Sequence, residues 1–322
     1  ILVAGLAVFA VANGLATTAD SAGIMTAYRV LAGVGAAMIM PATLSTLTSV
    51  FPEEERGRAV GIWAGFAGAG GILGLFFSAI IIDNATWPWL FALPVVVAIA
   101  SLAATVAVVP DSRNQQPAGF DVVGAVLSVV AVAGLVLGIH EGPEIGWTAP
   151  VTLAGLVAGV LGAVAFVLWE LRTARSHDDG GRVEAMLDVR IFSNRALAAG
   201  SLSLTLVFAL IFGAFLVVIQ YLQAVLGYSA VTAAAGLLPM AAMMMGLSPI
   251  APRISDRFGL GNVLGVGSLL LAAGFAIMGL ATTDPTYAAV LPGLLLTGAG
   301  VGLAMSPSTT AITGSLPAEK QG

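Results

Sequence analysis

Long apolar runs alternate with short polar segments along the whole chain. A helix rises about 1.5 Å per residue and the hydrocarbon core of a bilayer is about 30 Å thick. About 20 apolar residues bounded by charge or proline therefore predict one crossing. Ten runs fit this pattern, at approximately 1–18, 24–50, 58–82, 89–109, 121–139, 150–170, 197–226, 230–250, 262–281 and 287–314. The pattern predicts an all-α, polytopic integral membrane protein with about ten transmembrane helices. Since Ile1 already lies inside an apolar run, we expect the chain to be an internal fragment with a shortened first span.

Basic residues are segregated among the connections between the runs. Lysine and arginine near helix ends remain on the cytoplasmic side. All of them except Arg29 lie in alternate connections: Arg56, Arg58, Arg113, Arg172, Arg175, Arg182, Arg190, Arg195, Arg253, Arg257 and Lys320. The other connections hold no lysine or arginine and carry Asp20, Asp83, Glu141, Glu144 and Asp284. Adding or removing one crossing would mix these sets, so the segregation favours ten crossings with the basic connections inside.

The chain also contains an internal repeat. The sequence GLATT at 14–18 recurs at 279–283, and the Gly-x-Gly of 33–35 recurs at 298–300. Each copy continues into a predicted inner turn with a proline and acidic residues, at 51–57 and 316–322. Repeats of this kind are typical of membrane transporters built from related halves.

The longest polar stretch, 171–195, predicts an inner linker, and its last part, 183–195, predicts a short amphipathic helix on the membrane surface. We therefore divide the chain into three parts. Residues 1–109 form one helix bundle, 110–195 form a two-helix insert with the linker, and 196–322 begin a second bundle.

Composition supports the membrane interpretation and excludes several functions. The chain is 58% hydrophobic and 9% charged, with a mean hydropathy of +1.01 and 40 glycines that suit close helix packing in lipid. It has no cysteine, and its two histidines, His140 and His177, lack metal-ligand spacing. No nucleophile is paired with a base, so we expect neither an enzyme nor a metal or organic cofactor. No block of basic residues indicates a nucleic-acid partner.

Six groups of residues form recognisable motifs in chain order. They are Arg29 with Gly33–Ala37 and Pro41–Thr43; Phe51–Arg58; Asp121, Gly124 and Leu127; Leu187–Arg195; Tyr221–Gln223 with Leu226–Ser229; and Ser255–Gly259. Together they resemble the drug:proton antiporters of the major facilitator superfamily, in the fourteen-helix form. The resemblance covers the whole chain and implies that it holds helices three to twelve of fourteen.

The resemblance implies a secondary transporter in a bacterial inner membrane or a plasma membrane. It would export drugs or other small amphipathic compounds by alternating access, driven by the proton gradient without a cofactor. Its partners would be the substrate, protons and the lipid bilayer, and we expect a monomer.

The motif residues also depart from this branch. Its fifth-helix signature, a Gly-Pro pair followed by a Gly pair, is represented by Gly74–Leu75 and Ser78–Ala79, Trp87–Trp89 lacks the usual arginine, and Ala32 replaces a glutamine. Antiport and symport therefore both stay open, as does a metabolite exporter of the same fold. Interpretations from a different class are a membrane-embedded enzyme and a scaffold that does not transport.

Arg29 is the only basic residue inside a predicted span. Such a charge costs about 2.5 kcal/mol or more in a bilayer and normally faces a cavity or a partner. The resemblance implies proton coupling, together with a carboxylate on the family's first helix, which we expect to lie outside this chain. The alternative is that Arg29 extends to the outer interface, since it lies near that end of its span.

An aromatic stripe on span seven, followed by two amides, predicts part of a substrate cavity. Its residues are Phe208, Phe212, Phe215, Gln220 and Gln223. Aromatic faces and a few amides suit amphipathic, often cationic, compounds. The alternative is that the stripe faces lipid or packs in the core. Asn13, a lone polar residue in span one, could contact substrate or hydrogen-bond between helices.

The remaining candidates concern gating and helix packing. By the resemblance, Asp256 and Arg257 form an inner gate that makes ion pairs with neighbouring helix ends. The alternative is a solvated pair in a connection that contributes little. Asp121 is either a gating residue or the N-terminal cap of span five. Gly33 and Gly35 are predicted to allow a close helix crossing. In the third span, Gly61, Gly65 and Gly68 predict one small-residue face for such a crossing, and Gly70 with Gly74 predict a second.

Overall fold

The structure is a computed structural model, and it describes residues 1–109, 121–178, 183, 185–281 and 285–314. The predicted inner turn at 316–322, together with Arg113, Arg182 and Asp284, lies outside these residues. The architecture is all-α. In the part of the chain that is described, the helices are α1 (Leu2–Ala16), α2 (Ala22–Val50), α3 (Glu53–Asn84), α4 (Trp89–Val108), α5 (Val122–Ile145), α6 (Pro150–Asp178), α7 (Arg195–Gln220), α8 (Ala230–Gly236), α9 (Leu238–Leu247), α10 (Ala251–Phe258), α11 (Leu260–Leu280) and α12 (Tyr287–Gly314).

Nine segments of the described residues are long and apolar enough to cross a membrane, and they correspond to predicted spans two to ten. The first predicted span is also helical, but α1 has only 15 residues. Large apolar side chains cover the outer surfaces of these helices: Val96 is 65% exposed, Val106 69% and Leu269 70%. A surface of this kind is stable in lipid and would aggregate in water, so the membrane prediction is supported by side-chain exposure as well as by length.

The predicted eighth span is two helices. α8 ends at Gly236, and α9 begins at Leu238 with Pro239 in its first turn, where the missing proline N–H costs nothing. The following residues were predicted as a connection, but they form the short amphipathic helix α10.

The prediction of an amphipathic helix at 183–195 was wrong. The described residues of this stretch form only a five-residue 3₁₀ turn, Val189–Ser193, capped by the Asp188 carboxylate, which accepts from the Arg190 backbone N–H. The side-chain cap and the Asp188–Arg190 ion pair, 2.8 Å between Nε and Oδ1, favour a local turn over a continuous helix.

The chain divides into two compact units, which are described separately. The first comprises Ile1–Asp111 and Ala196–Gly322. Its buried core lies where α3, α7, α9, α11 and α12 meet, and its largest fully buried side chains include Ile72, Leu222, Leu237, Met244, Leu294 and Met305.

The sequence repeat appears in this unit as two similar helix pairs. α1 packs on α2, and a Cβ at Gly35 would lie 2.7 Å from the backbone nitrogen of Phe9 and 2.9 Å from the carbonyl oxygen of Gly5. α11 packs on α12 in the same manner, since a Cβ at Gly300 would lie 2.6 Å from the carbonyl oxygen of Gly267. In both copies a glycine therefore lets the two backbones touch.

The second unit, Ser112–Arg195, is the helix pair α5 and α6 with the 3₁₀ turn. A Cβ at Gly134 would lie 2.6 Å from the Gly159 backbone nitrogen, and one at Gly155 would lie 2.9 Å from that of Gly138. Glycines on both helices thus allow a close antiparallel crossing. The connection turns at Gly146, whose φ of 99° strongly favours a glycine.

Candidate functional site

α3 crosses α9 through the predicted glycine face. A Cβ at Gly61 would lie 2.7 Å from the carbonyl oxygen of Ser248, and one at Gly65 would lie 3.2 Å from the Ser248 Cβ. The Ser248 hydroxyl donates a buried hydrogen bond of 2.8 Å to the Gly61 carbonyl oxygen. Only glycine permits this approach, so the face is a backbone contact between helices far apart in sequence.

The same face continues against methionine side chains. A Cβ at Gly68 would lie 2.6 Å from Met244 Cε and 3.2 Å from Met305 Sδ. Methionine is flexible and fills irregular gaps. Ser306 is fully buried next to the crossing, and its hydroxyl has no partner among the described residues. α3 is thus held between α9 and α12 by small and flexible groups.

The second predicted glycine face of α3 has no such neighbour. A Cβ at Gly70 or Gly74 would meet nothing within 4 Å. Gly71 makes the contact instead, since its Cβ would lie 3.0 Å from Phe215 Cε2 in α7. Sequence reasoning missed Gly71. The signal was present, because Gly71 follows Gly68 at the i+3 spacing that places two residues on one helix face.

The aromatic stripe of α7 is continuous. The ring centroids of Phe208 and Phe212 are 6.4 Å apart and stacked, and those of Phe212 and Phe215 are 6.3 Å apart and edge-on. Phe215 is half-buried against α3, whereas Phe212 is 61% exposed. The stripe therefore joins a buried helix contact to an open surface.

The two predicted amides lie at the end of α7, and both are exposed. Gln220 is its last residue, and Gln223 lies in a single π-helical turn, Tyr221–Val225, that the sequence did not predict. Leu222 is fully buried there, and the Tyr221 hydroxyl donates to the carbonyl oxygen of Ala281 over 3.2 Å. π-helical turns often occur at functional sites, and this one is anchored on both sides of Gln223.

Arg29 is exposed on α2, and its guanidinium carbon lies 5.8 Å from the ring centroid of Phe91 in α4. Within the described residues no carboxylate forms an ion pair with it. An arginine over an aromatic face is attracted by the ring quadrupole. The Phe91 contact was not predicted, because residues on different helices have no fixed spacing in sequence.

Asn13 is 1% exposed on α1, which packs against α2 and α4. Its Nδ2 donates to the Phe9 carbonyl oxygen over 2.8 Å, and its Oδ1 has no partner among the described residues. Of the two predicted glycines in α2, Gly35 makes the contact with α1, whereas a Cβ at Gly33 would meet nothing within 4 Å.

The gating candidates divide by environment. Asp121 is buried and caps α5, because its Oδ1 accepts from the Gly124 backbone N–H over 2.8 Å. This geometry matches the cap among its two predicted roles. Asp256 and Arg257 are exposed on α10, where the Arg257 guanidinium carbon lies 5.5 Å from the Phe258 ring centroid. No ion pair joins either of them to another described residue.

Comparison with known proteins identifies the family. The chain is 30% identical to the multidrug resistance protein Stp of Mycobacterium tuberculosis over 319 residues, which cover 99% of this chain and 58% of that protein. It is 33% identical to the tetracenomycin C resistance and export protein of Streptomyces glaucescens, covering 99% of this chain and 58% of the relative. It is 30% identical to the multidrug efflux pump LfrA of Mycolicibacterium smegmatis, covering the whole chain and 62% of the relative.

The chain thus spans about three fifths of the length of these relatives. The profile of the Major Facilitator Superfamily matches residues 1–122 and 112–322, which together span all of it. With its apolar helices and repeated helix pairs, this chain belongs to the Major Facilitator Superfamily.

Proposed function

We propose that the protein is a secondary transporter that exports drugs or other small amphipathic compounds in exchange for protons, by alternating access, as a monomer in a bacterial cell membrane. The observation that carries the proposal is that proteins named for multidrug resistance and antibiotic export match this chain over essentially its whole length. Membership of a transporter family supports this function over that of an enzyme.

The α3 crossing supports alternating access. α3 precedes the two-helix unit in sequence, and α9 and α12 follow it. Its closest contacts involve backbone atoms, the hydroxyls of Ser248 and Ser306, and flexible methionines. Close contacts through glycine and methionine let two helices change their crossing at less steric cost than branched side chains would impose. Rocking of two related halves needs such a surface.

The end of α7 supports an amphipathic substrate. Phe212 offers an exposed aromatic face, and Gln220 and Gln223 offer exposed amides at the same end of the helix. Apolar surface with a few polar groups is typical of small-molecule sites. The substrate class is therefore compounds with a flat apolar part and one polar or cationic group.

Arg29 is the candidate for proton coupling. Its guanidinium lies over the Phe91 ring and forms no ion pair with a described carboxylate, so its charge is available to a carboxylate that gains and loses a proton. An alternative function with the same fold is that of a metabolite exporter or a symporter.

Transport by the purified protein in liposomes tests the proposal. With an inward-directed proton gradient imposed, ethidium should leave the liposomes and protons should enter. A protonophore should stop the ethidium efflux, because it dissipates the proton gradient, and protein-free liposomes serve as the control. Ethidium movement that is unaffected by the protonophore would contradict proton coupling. Movement of substrate and protons in the same direction would indicate symport instead of exchange.

A further inference from the structure

Two acidic side chains lie together in the interior of the two-helix unit. Asp121, which precedes α5, is 4% exposed, and Glu170 in α6 is 0% exposed. Asp121 caps one helix of the unit, and Glu170 lies within the other. Fully buried carboxyl groups are rare unless they are paired with a cation or hold a proton. The proposed transport function does not use either residue.

Gly124 makes the room for this pair. A Cβ at position 124 would lie 2.5 Å from Glu170 Oε1 and 2.6 Å from Asp121 Oδ2. Because one point is that close to both atoms, the two oxygens are no more than about 5 Å apart. Any larger residue at position 124 would collide with both carboxyl groups.

The two carboxyl groups have unequal hydrogen-bond partners. Asp121 accepts from the Gly124 backbone N–H over 2.8 Å, and both of its oxygens lie 3.0 Å from the indole Nε1–H donor of Trp169. Glu170 Oε2 accepts from the Leu187 backbone N–H over 3.0 Å. Glu170 Oε1 is buried and has no partner among the described residues. Donors therefore stabilise a negative charge on Asp121 better than one on Glu170.

The charged groups that face Glu170 are also acidic. Asp121 faces it from the N-terminal cap of α5, and Asp188 faces it from the segment before the 3₁₀ turn, together with the backbone N–H groups of Met186 and Leu187. The Asp188 carboxylate is itself engaged by Arg190. No described cation pairs with Glu170. Two ionised carboxylates this close in a poorly solvated site repel each other, and such pairs commonly share one proton.

We propose that Asp121 and Glu170 form a proton-binding site that holds a single proton, carried on Glu170 Oε1 while Asp121 stays ionised. Glu170 Oε1 then becomes an O–H group next to the Asp121 carboxylate. Loss of the proton leaves a second negative charge without a donor and weakens the packing of α5 on α6. Because Leu187 is bonded to the same carboxyl group, the proton also controls how the segment after α6 is attached.

Infrared spectroscopy of the purified protein tests this site directly, because a protonated carboxyl group gives a C=O stretching band that a carboxylate lacks. Near neutral pH the wild-type protein should show this band, and Glu170→Gln should lose it. That variant keeps an oxygen for the Leu187 N–H and nearly the same shape. The control is Glu144→Gln, an exposed glutamate of the same unit, which should leave the band unchanged.

Asp121→Asn should weaken the band, since an amide can donate to Glu170 and stabilise its ionised form. The proposal is overturned if the wild-type protein lacks the band near neutral pH. It is also overturned if Glu170→Gln retains the band. A band that Asp121→Asn leaves unchanged would overturn the pairing. None of these results depends on transport, so failure here is distinguishable from failure of the proposed export function.

Discussion

The hydroxyl of Ser248, the C-terminal cap of α9, donates a 2.8 Å hydrogen bond to the carbonyl oxygen of Gly61 in α3, and these residues are 187 positions apart. The bond links the helices on either side of the two-helix unit in sequence. It forms because residue 61 has no side chain and the backbones can approach. Gly61 is therefore the position where a small change should most disturb movement between the halves.

Gly61→Val should abolish transport and lower the stability of the folded protein. The new side chain would meet the Ser248 carbonyl oxygen and the Pro249 Cα, and overpacking of this kind costs about 1–3 kcal/mol. Gly246→Val is the matched control, because a Cβ there meets nothing within 4 Å. Thermal denaturation in detergent and liposome transport measure both effects. Equal behaviour of the two variants would show that the crossing is not sensitive to bulk.

Arg29→Ala should abolish proton-coupled transport while the protein still inserts and folds. The Phe91 contact contributes only about 0.5–1 kcal/mol at an exposed site, so stability should change little. The measurement is substrate efflux driven by a proton gradient, with the amount of folded protein checked by size-exclusion chromatography. Arg175→Ala, an exposed arginine of α6, is the control. Normal exchange by Arg29→Ala would leave Arg29 as an interfacial residue.

Phe212→Ala and Gln223→Ala should change which compounds are transported. Removing one aromatic face should alter the relative rates for cationic and uncharged aromatic compounds about two- to tenfold, as about 0.5–1.5 kcal/mol would give. Leu216→Ala, on the same helix and 67% exposed, is the control and should leave the ratio unchanged. A panel of chemically diverse drugs provides the measurement. The same profile in all three variants would remove α7 from the substrate path.

Single cysteines should report the sidedness of the helices, since the chain contains none of its own. A membrane-impermeant maleimide added outside should label cysteine at Asp20 or Glu144. It should label cysteine at Arg175 or Arg257 only after the membrane is permeabilised, because basic connections face the cytoplasm. Equal labelling at all four positions in intact cells would refute the topology.

Much of the fold could be predicted from local pattern. Nine membrane-length segments of the described residues fall on predicted runs two to ten, because length and hydrophobicity are properties of one segment. The failures have local physical causes. Pro239 lies in the first turn of a new helix inside a predicted span. Asp188 caps a short 3₁₀ turn where an amphipathic helix was predicted.

The candidate site was less predictable, because its contacts join distant segments. Asp121 was correctly offered as a possible helix cap, since capping depends on the next three residues. Its proximity to Glu170 and its bond to Trp169 were not predicted. Likewise, Phe91 was not expected opposite Arg29.

The amino-acid order alone therefore predicts where the apolar helical segments lie, which connections are basic and which residues are small enough for helix crossings. Packing in three dimensions selects among those residues. Gly70 and Gly71 are chemically identical neighbours, yet only Gly71 contacts Phe215, because one residue along a helix turns the side-chain direction by about 100°. Helix rotation and choice of neighbour depend on all the packed helices together, which is why Gly61 finds Ser248 and Glu170 finds Asp121 only in the folded protein.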